Sequence, residues 1–123
     1  MVNIVEKWEI IKSQVEKFIS GYFDVPIKVE NTEILGNTVN CMLSNKISLV
    51  LNVNDDNEGY ILISNNTLGI GNKMFLCSFN EKNSTMLFKH PVSSKFIPYY
   101  DGFFEGSPEQ GFIKFCRDTV KVG

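Results

Sequence analysis

The chain holds one histidine, His90, and three cysteines, Cys41, Cys77 and Cys116, the residue types from which a thiol nucleophile and its general base would be drawn. His90 stands between Lys89 and Pro91 at the end of a strand-like run. Each cysteine falls where the apolar pattern assigns a strand or the inner face of a helix, and there a thiol behaves as a small hydrophobe. These residues read as a loop histidine, ordinary or partner-contacting, and three packed thiols. Their odd number and the absence of CxxC spacing give neither a disulfide framework nor a zinc site, and imply a reducing compartment. A carboxylate pair for glycosidase-like chemistry could be assembled from Asp101 and Glu105, but any acidic loop offers such a pair and the sequence sets no separation between them. Asn54, Asp56, Glu58 and Gly59 imitate the first half of a calcium loop; the first position is Asn, the twelfth is Asn65 and the flanks are strand-like, so a hairpin turn accounts for them. Gly69-Ile70-Gly71 has Met74 where a phosphate loop needs its third glycine, and no helix follows it. None of these constellations supplies a catalytic motif, a metal site or a cofactor site.

Tyr99-Tyr100-Asp101-Gly102-Phe103-Phe104-Glu105-Gly106 is different in kind, because it places four rings and two carboxylates in eight residues that also carry two glycines. Glycines at that spacing interrupt regular structure, and a merely solvated loop needs no rings. The segment reads as a surface meant to be covered. A second acidic segment, Asp55, Asp56 and Glu58, lies earlier in the chain, and the two together suggest contacts to a basic partner. The expected partner-binding residues are therefore Asp55, Asp56, Glu58, Tyr99, Tyr100, Asp101, Phe103, Phe104 and Glu105. In the competing reading the acids are solvated turns and Phe103 and Phe104 plug the gap between the sheet and a terminal helix, leaving only tyrosine hydroxyls outside. A small-molecule pocket is a third reading.

The elements that must position these residues follow from periodicity. Ile4, Trp8, Ile11, Val15 and Phe18 recur every three or four residues over about 3–20, an amphipathic helix closed by Gly21 as its C′ residue and by Pro26 beyond. From residue 27 to 88 the period becomes two. Val39, Cys41 and Leu43, then Ile47, Leu49, Leu51 and Val53, form one face of two strands, and Tyr60–Ser64, Lys73–Phe79 and Thr85–Phe88 read as three more. Residues 27–31 or 32–35 add an outer strand. Short connections demand antiparallel neighbours. Ser107-Pro108-Glu109-Gln110 has the form of a helix start, and Phe112, Cys116 and Val120 carry a terminal helix over about 108–120. The expected fold is α+β: an N-terminal amphipathic helix, a twisted antiparallel sheet of five to six strands and a C-terminal helix, both helices on one face.

At 123 residues the chain fits one domain spanning 1–123, with enough core to need no disulfide or metal staple. Thirteen asparagines, many between apolar runs, suit turns and left-handed backbone positions. A net charge of −2 leaves no uniform basic face for nucleic acid. The first residues mix acids with apolar side chains, unlike a signal peptide, and no stretch approaches a membrane span, which points to the cytoplasm.

In general character over its whole length, as a small, mildly acidic, Asn-rich α+β chain without catalytic equipment, the sequence resembles the immunity proteins that bacteria pair with toxins of contact-dependent growth inhibition systems. The resemblance implies a protein that binds one cognate toxin and blocks its active site, often that of a nuclease with a basic cleft. Carboxylates would then stand in for phosphates. The chain is also similar to type III secretion chaperones, which hold an effector along an apolar groove or exposed strand; it departs from them in having no room between its strands for a helix. A cystatin-like fold, in which a sheet wraps a helix and a cavity holds a small ligand, is the third comparison.

Overall fold

The computed structural model describes residues 3–65 and 71–106. Asn3 caps the first helix, its side-chain oxygen accepting the Glu6 N–H at 3.3 Å, and α1 then runs over Ile4–Phe23. Ile4, Trp8, Ile11, Val15, Phe18 and Ile19 are buried along one stripe, as their spacing requires. The helix does not stop at Gly21. It continues for the half-turn that buries Tyr22 and Phe23, four residues beyond Phe18 and Ile19, and ends at Asp24, whose backbone is left-handed at φ 58°. Gly21 serves proximity instead of termination: a Cβ there would overlap the hydroxyl end of Tyr99.

Seven strands follow: β1 Val29–Leu35, β2 Thr38–Leu43, β3 Ser48–Val53, β4 Glu58–Asn65, β5 Gly71–Asn80, β6 Thr85–Lys89 and β7 Phe96–Ile97. They pair in chain order as one antiparallel meander. The sheet therefore exceeds the five to six strands expected from the sequence, for two reasons. The outer strand is a single element with a bulge between Glu30 and Glu33, where Asn31 takes φ 51°, and a bulge erases the alternation that would reveal it. β7 is two residues long, too short to show any period. The expected C-terminal helix over 108–120 lies outside the described residues, and of the helix pair expected on one face only α1 can be placed there.

The chain leaves α1 and folds back along it. Ile27 donates its N–H to Ser20 Oγ at 2.8 Å and Val29 donates to Glu16 Oε2 at 2.7 Å, so the free edge of β1 is tied to the helix flank. On the other flank Gln14 Oε1 accepts the Met86 N–H at 2.7 Å and its Nε2 donates to the Ser84 carbonyl at 2.9 Å. Two residues of helix turn through about 200°, so one helix holds β1 on one side and β6 on the other. Laid flat, the five gaps from β1 to β6 would span about 24 Å, twice the width of a helix. The sheet must therefore curl around α1. Val39, Cys41, Leu49, Leu51, Ile61, Ile63, Cys77, Met86 and Phe88 line its inner face and are all buried.

Asparagine does much of the turn work, as its abundance suggested. Asn54 Oδ1 accepts from the N–H groups of Asp56 (2.9 Å) and Glu58 (3.1 Å), and Asn57 takes φ 61° in the same turn. Asn45 and Asn80 accept from Ile47 and Lys82 in the same way.

Candidate functional site

The helix and the meander together define two ends. Where α1 begins lie the β1–β2, β3–β4 and β5–β6 turns, joined by Val53 N–H to Asn37 O (3.1 Å), Phe79 N–H to Asn57 O (2.8 Å) and Lys7 Nζ to Ser84 Oγ (3.4 Å). Where α1 finishes lie Asp24, the β2–β3 turn, the β6–β7 turn and the aromatic segment. Asp55, Asp56 and Glu58 occupy the first end and Tyr99 to Glu105 the second. β4 alone, at eight residues, spans about 26 Å between them. The two acidic segments are separate surfaces, not one patch. Four strands, β4 to β7, lie between them, but β7 is only two residues long, and the segment after it stays at the end where α1 finishes, with Tyr99 against Gly21.

Asp55, Asp56 and Glu58 are exposed on a tight turn whose backbone is satisfied by Asn54. That geometry spends the side-chain oxygen a calcium loop would use, and among the described residues no group of three or more His, Cys, Asp or Glu is arranged to hold a metal ion.

At the other end the chain makes two close turns, Phe103 N–H to Tyr100 O at 3.0 Å and Glu105 N–H to Gly102 O at 2.9 Å, with Gly102 at φ 93°. They drive Phe103 and Phe104 inward. Phe103 is 0 % and Phe104 3 % exposed, so neither offers side-chain surface to a partner, and both leave the set of expected contacts. Their rings meet Phe18 at 5.5 and 5.1 Å, and Phe18 also stacks on Phe88 at 4.1 Å. The plug expected between sheet and terminal helix thus seats against α1, β5 and β6. Tyr99 is half-buried along Gly21, while Tyr100 is 49 % exposed and Asp101 and Glu105 are exposed. Burial pushes the Tyr99 hydroxyl above its ordinary range, with Asp101 and then Asp24 adding to the effect. An open groove of about 880 Å³ runs between the last turns of α1 and this segment, with Lys17, Asp24, Lys28, Tyr99, Tyr100 and Asp101 on its walls.

His90 closes the β6–β7 turn. Its Nδ1 accepts from the N–H groups of Val92 and Ser93, both at 3.1 Å, and its Nε2 lies 3.3 Å from Tyr100 Oη. Cys41 and Cys77 are buried, and burial raises their thiols to about 11 and about 12, so they are protonated and inert at neutral pH. Cys116 lies outside the described residues.

A further surface was not anticipated. On the outer face of the sheet Val50, Leu62 and Met74 stand side by side in register, as do Tyr60 and Leu76, and Met74 is 55 % exposed. The sequence cue is that β4 and β5 are apolar at both parities, Tyr60-Ile61-Leu62-Ile63 and Met74-Phe75-Leu76-Cys77.

No family model matches the chain, and no curated protein or solved structure is significantly similar to it. No helix among the described residues is long and apolar enough to cross a membrane.

Proposed function

We propose that the protein is an immunity-type inhibitor that binds a cognate toxin through the aromatic end, with Tyr99, Tyr100, Asp101 and Glu105 as the contact residues. The observation that carries the reading is the pairing of exposed Tyr100 and Asp101 with buried Phe103 and Phe104 on one short turn. A tyrosine and a carboxylate held by two core anchors lose little freedom on binding, and a half-exposed tyrosine beside an acid is a common hot-spot chemistry against a basic surface. Tyr100 exposes roughly 100 Å² of the ~800 Å² one side of a standard interface buries, so the groove walls and α1 must supply the rest. The test is the inhibition of a toxin encoded beside this gene, with and without Tyr100→Ala. Loss of about tenfold or more in affinity, or about 1.4 kcal/mol, is expected; unchanged affinity would remove this end.

The outer apolar face favours a second reading, a chaperone-like protein that holds an apolar segment of an exported effector. Methionines on such a face adapt to varied side chains. Substituting Met74 and Leu76 with Asp would abolish effector capture in that case and leave toxin inhibition intact in the first. The cradled helix also accords with a cystatin-like arrangement, but among the described residues the inner face is filled by buried side chains, and the grooves described there open to the surface.

A further inference from the structure

We infer that the outer face of the sheet is a docking line for one extended segment of a protein partner, apolar at its centre, acidic at one end and basic at the other; the inference deepens the chaperone-like reading and rests on it. The register sets the line. Met74, Leu76 and Ser78 follow one another on the outer side of β5, with Leu62, Tyr60 and Glu58 of β4 beside them in that order and Leu87 of β6 on the other side of Ser78. Met74 is 55 % exposed, Leu76 40 % and Phe96 of β7 44 %. Three depressions run along this strand. The first, of about 430 Å³, has Met74, Leu76 and Lys89 on its walls; the second, of about 370 Å³, has Leu76, Phe96, Ser78 and Glu58. The third, of about 570 Å³, has Ser78, Glu58, Asp56 and Leu87. Leu76 belongs to the first two, and Ser78 and Glu58 to the last two, so the three form one path. From Met74 to Asn80 it measures about 20 Å, the reach of six extended residues.

The path is polar in charge. Lys73 and Lys89 stand at the first depression, and Asp56, Glu58 and Glu81 at the third, with Lys82 among them. Lys89, Asp56 and Glu58 are exposed, and Leu76 and Phe96 wall the space between them. An extended chain laid here sends alternate side chains, two residues apart, into the depressions and brings an acid to Lys89 and a base to Glu58 and Asp56. Exposed ion pairs add little affinity, so the apolar anchors hold the segment and the charges set its direction. A segment of the opposite charge order puts like charges together at both ends. The shape favours a single chain over a second copy of the protein. Because the sheet curls around α1, this face is convex, and two convex faces meet only along a strip, short of the ~800 Å² that one side of a standard interface buries.

The probe is a random nonapeptide display library selected on the full chain. Enriched peptides should carry two apolar residues two positions apart, with an acid on one side of them and a base on the other. In solution the leading peptide should lose at least about tenfold in affinity to Leu76→Asp. Phe96→Ser repeats that test from β7 without altering β5, and urea unfolding shows that each variant is folded. Selection repeated on Lys89→Glu should lose the acid and keep the apolar pair. Apolar peptides without a charge order, lost in Leu76→Asp, would overturn the inference and leave the chaperone-like reading standing. No enrichment, or peptides indifferent to both Leu76→Asp and Phe96→Ser, would overturn both. A dimer in sedimentation that Leu76→Asp abolishes would give the face to a second copy and overturn the inference as well.

Discussion

The two ends of the meander expose similar acids on differently built supports. At the end where α1 begins, Asp55, Asp56 and Glu58 ride on a turn held by Asn54 reaching its own backbone and by the Phe79 N–H reaching Asn57 O, backbone bonds that put none of the turn's own side chains into the core. At the other end Tyr100, Asp101 and Glu105 ride on turns whose intervening residues, Phe103 and Phe104, are part of the core. Charge on a turn held by backbone bonds can steer an encounter, but charge beside a ring fixed by packing can also hold a partner. What sets the ends apart is therefore attachment to the core, and substitutions at the two ends should differ accordingly.

The largest effect belongs to the anchor. Phe103→Ala empties a fully buried ring site against Phe18 and Phe88, and should cost about 3–5 kcal/mol in urea unfolding, since large cavities in aromatic clusters relax poorly. A cost under about 1 kcal/mol would show that the plug is not seated as described. Gly21→Ala comes next. In an ordinary helix interior this change stabilises by up to about 1 kcal/mol, but here the new methyl meets Tyr99, so a loss of about 1–3 kcal/mol is expected. Combining it with Tyr99→Ala should restore the ordinary sign. At the opposite end, Asn54→Ala removes the acceptor for two turn amides and should cost about 1 kcal/mol, without touching the aromatic end.

A smaller effect follows from Tyr99. Its hydroxyl is raised above 10.0 by burial, then by Asp101 and Asp24. A raised folded-state value contributes stability that is fully present below the unfolded value and is lost as pH climbs through the folded one. Stability should therefore fall above about pH 10, the ordinary tyrosine range, and fall less steeply in Tyr99→Phe. Because the hydroxyl is largely in reach of solvent, screening keeps the difference small. Parallel pH profiles for the two proteins would contradict the placement of Tyr99 between those carboxylates.

Periodicity made most of the architecture legible. The α1 stripe and the faces of β2 and β3 follow directly from spacing in the chain, and the asparagine turns follow from residue type. What stayed hidden has physical causes. Gly21 followed by Pro26 looks like a helix end because a capping glycine and a close-approach glycine are the same residue; only the partner, Tyr99, tells them apart, and it lies 78 positions away. Ser20 binding Ile27, Glu16 binding β1 and Gln14 binding β6 are side-chain bonds between separate segments with no signature in the apolar pattern. In the aromatic segment ring and charge are legible side by side, but the inward turn of Phe103 and Phe104 depends on Gly102 and on the space beside Phe18. The outer apolar face was visible as apolar residues at both parities of β4 and β5, a pattern that also describes a strand buried on both sides.

The most direct test of the account is capture of the cognate toxin from the protein's own cells by three tagged forms: wild type, Asp55→Lys with Asp56→Lys, and Tyr100→Ala with Asp101→Lys. The account predicts that the first two retain the same toxin in equal yield, and that the third loses it while unfolding as cooperatively as wild type. Retention by the third form with loss by the second would place binding on the asparagine-held turn and contradict the central claim.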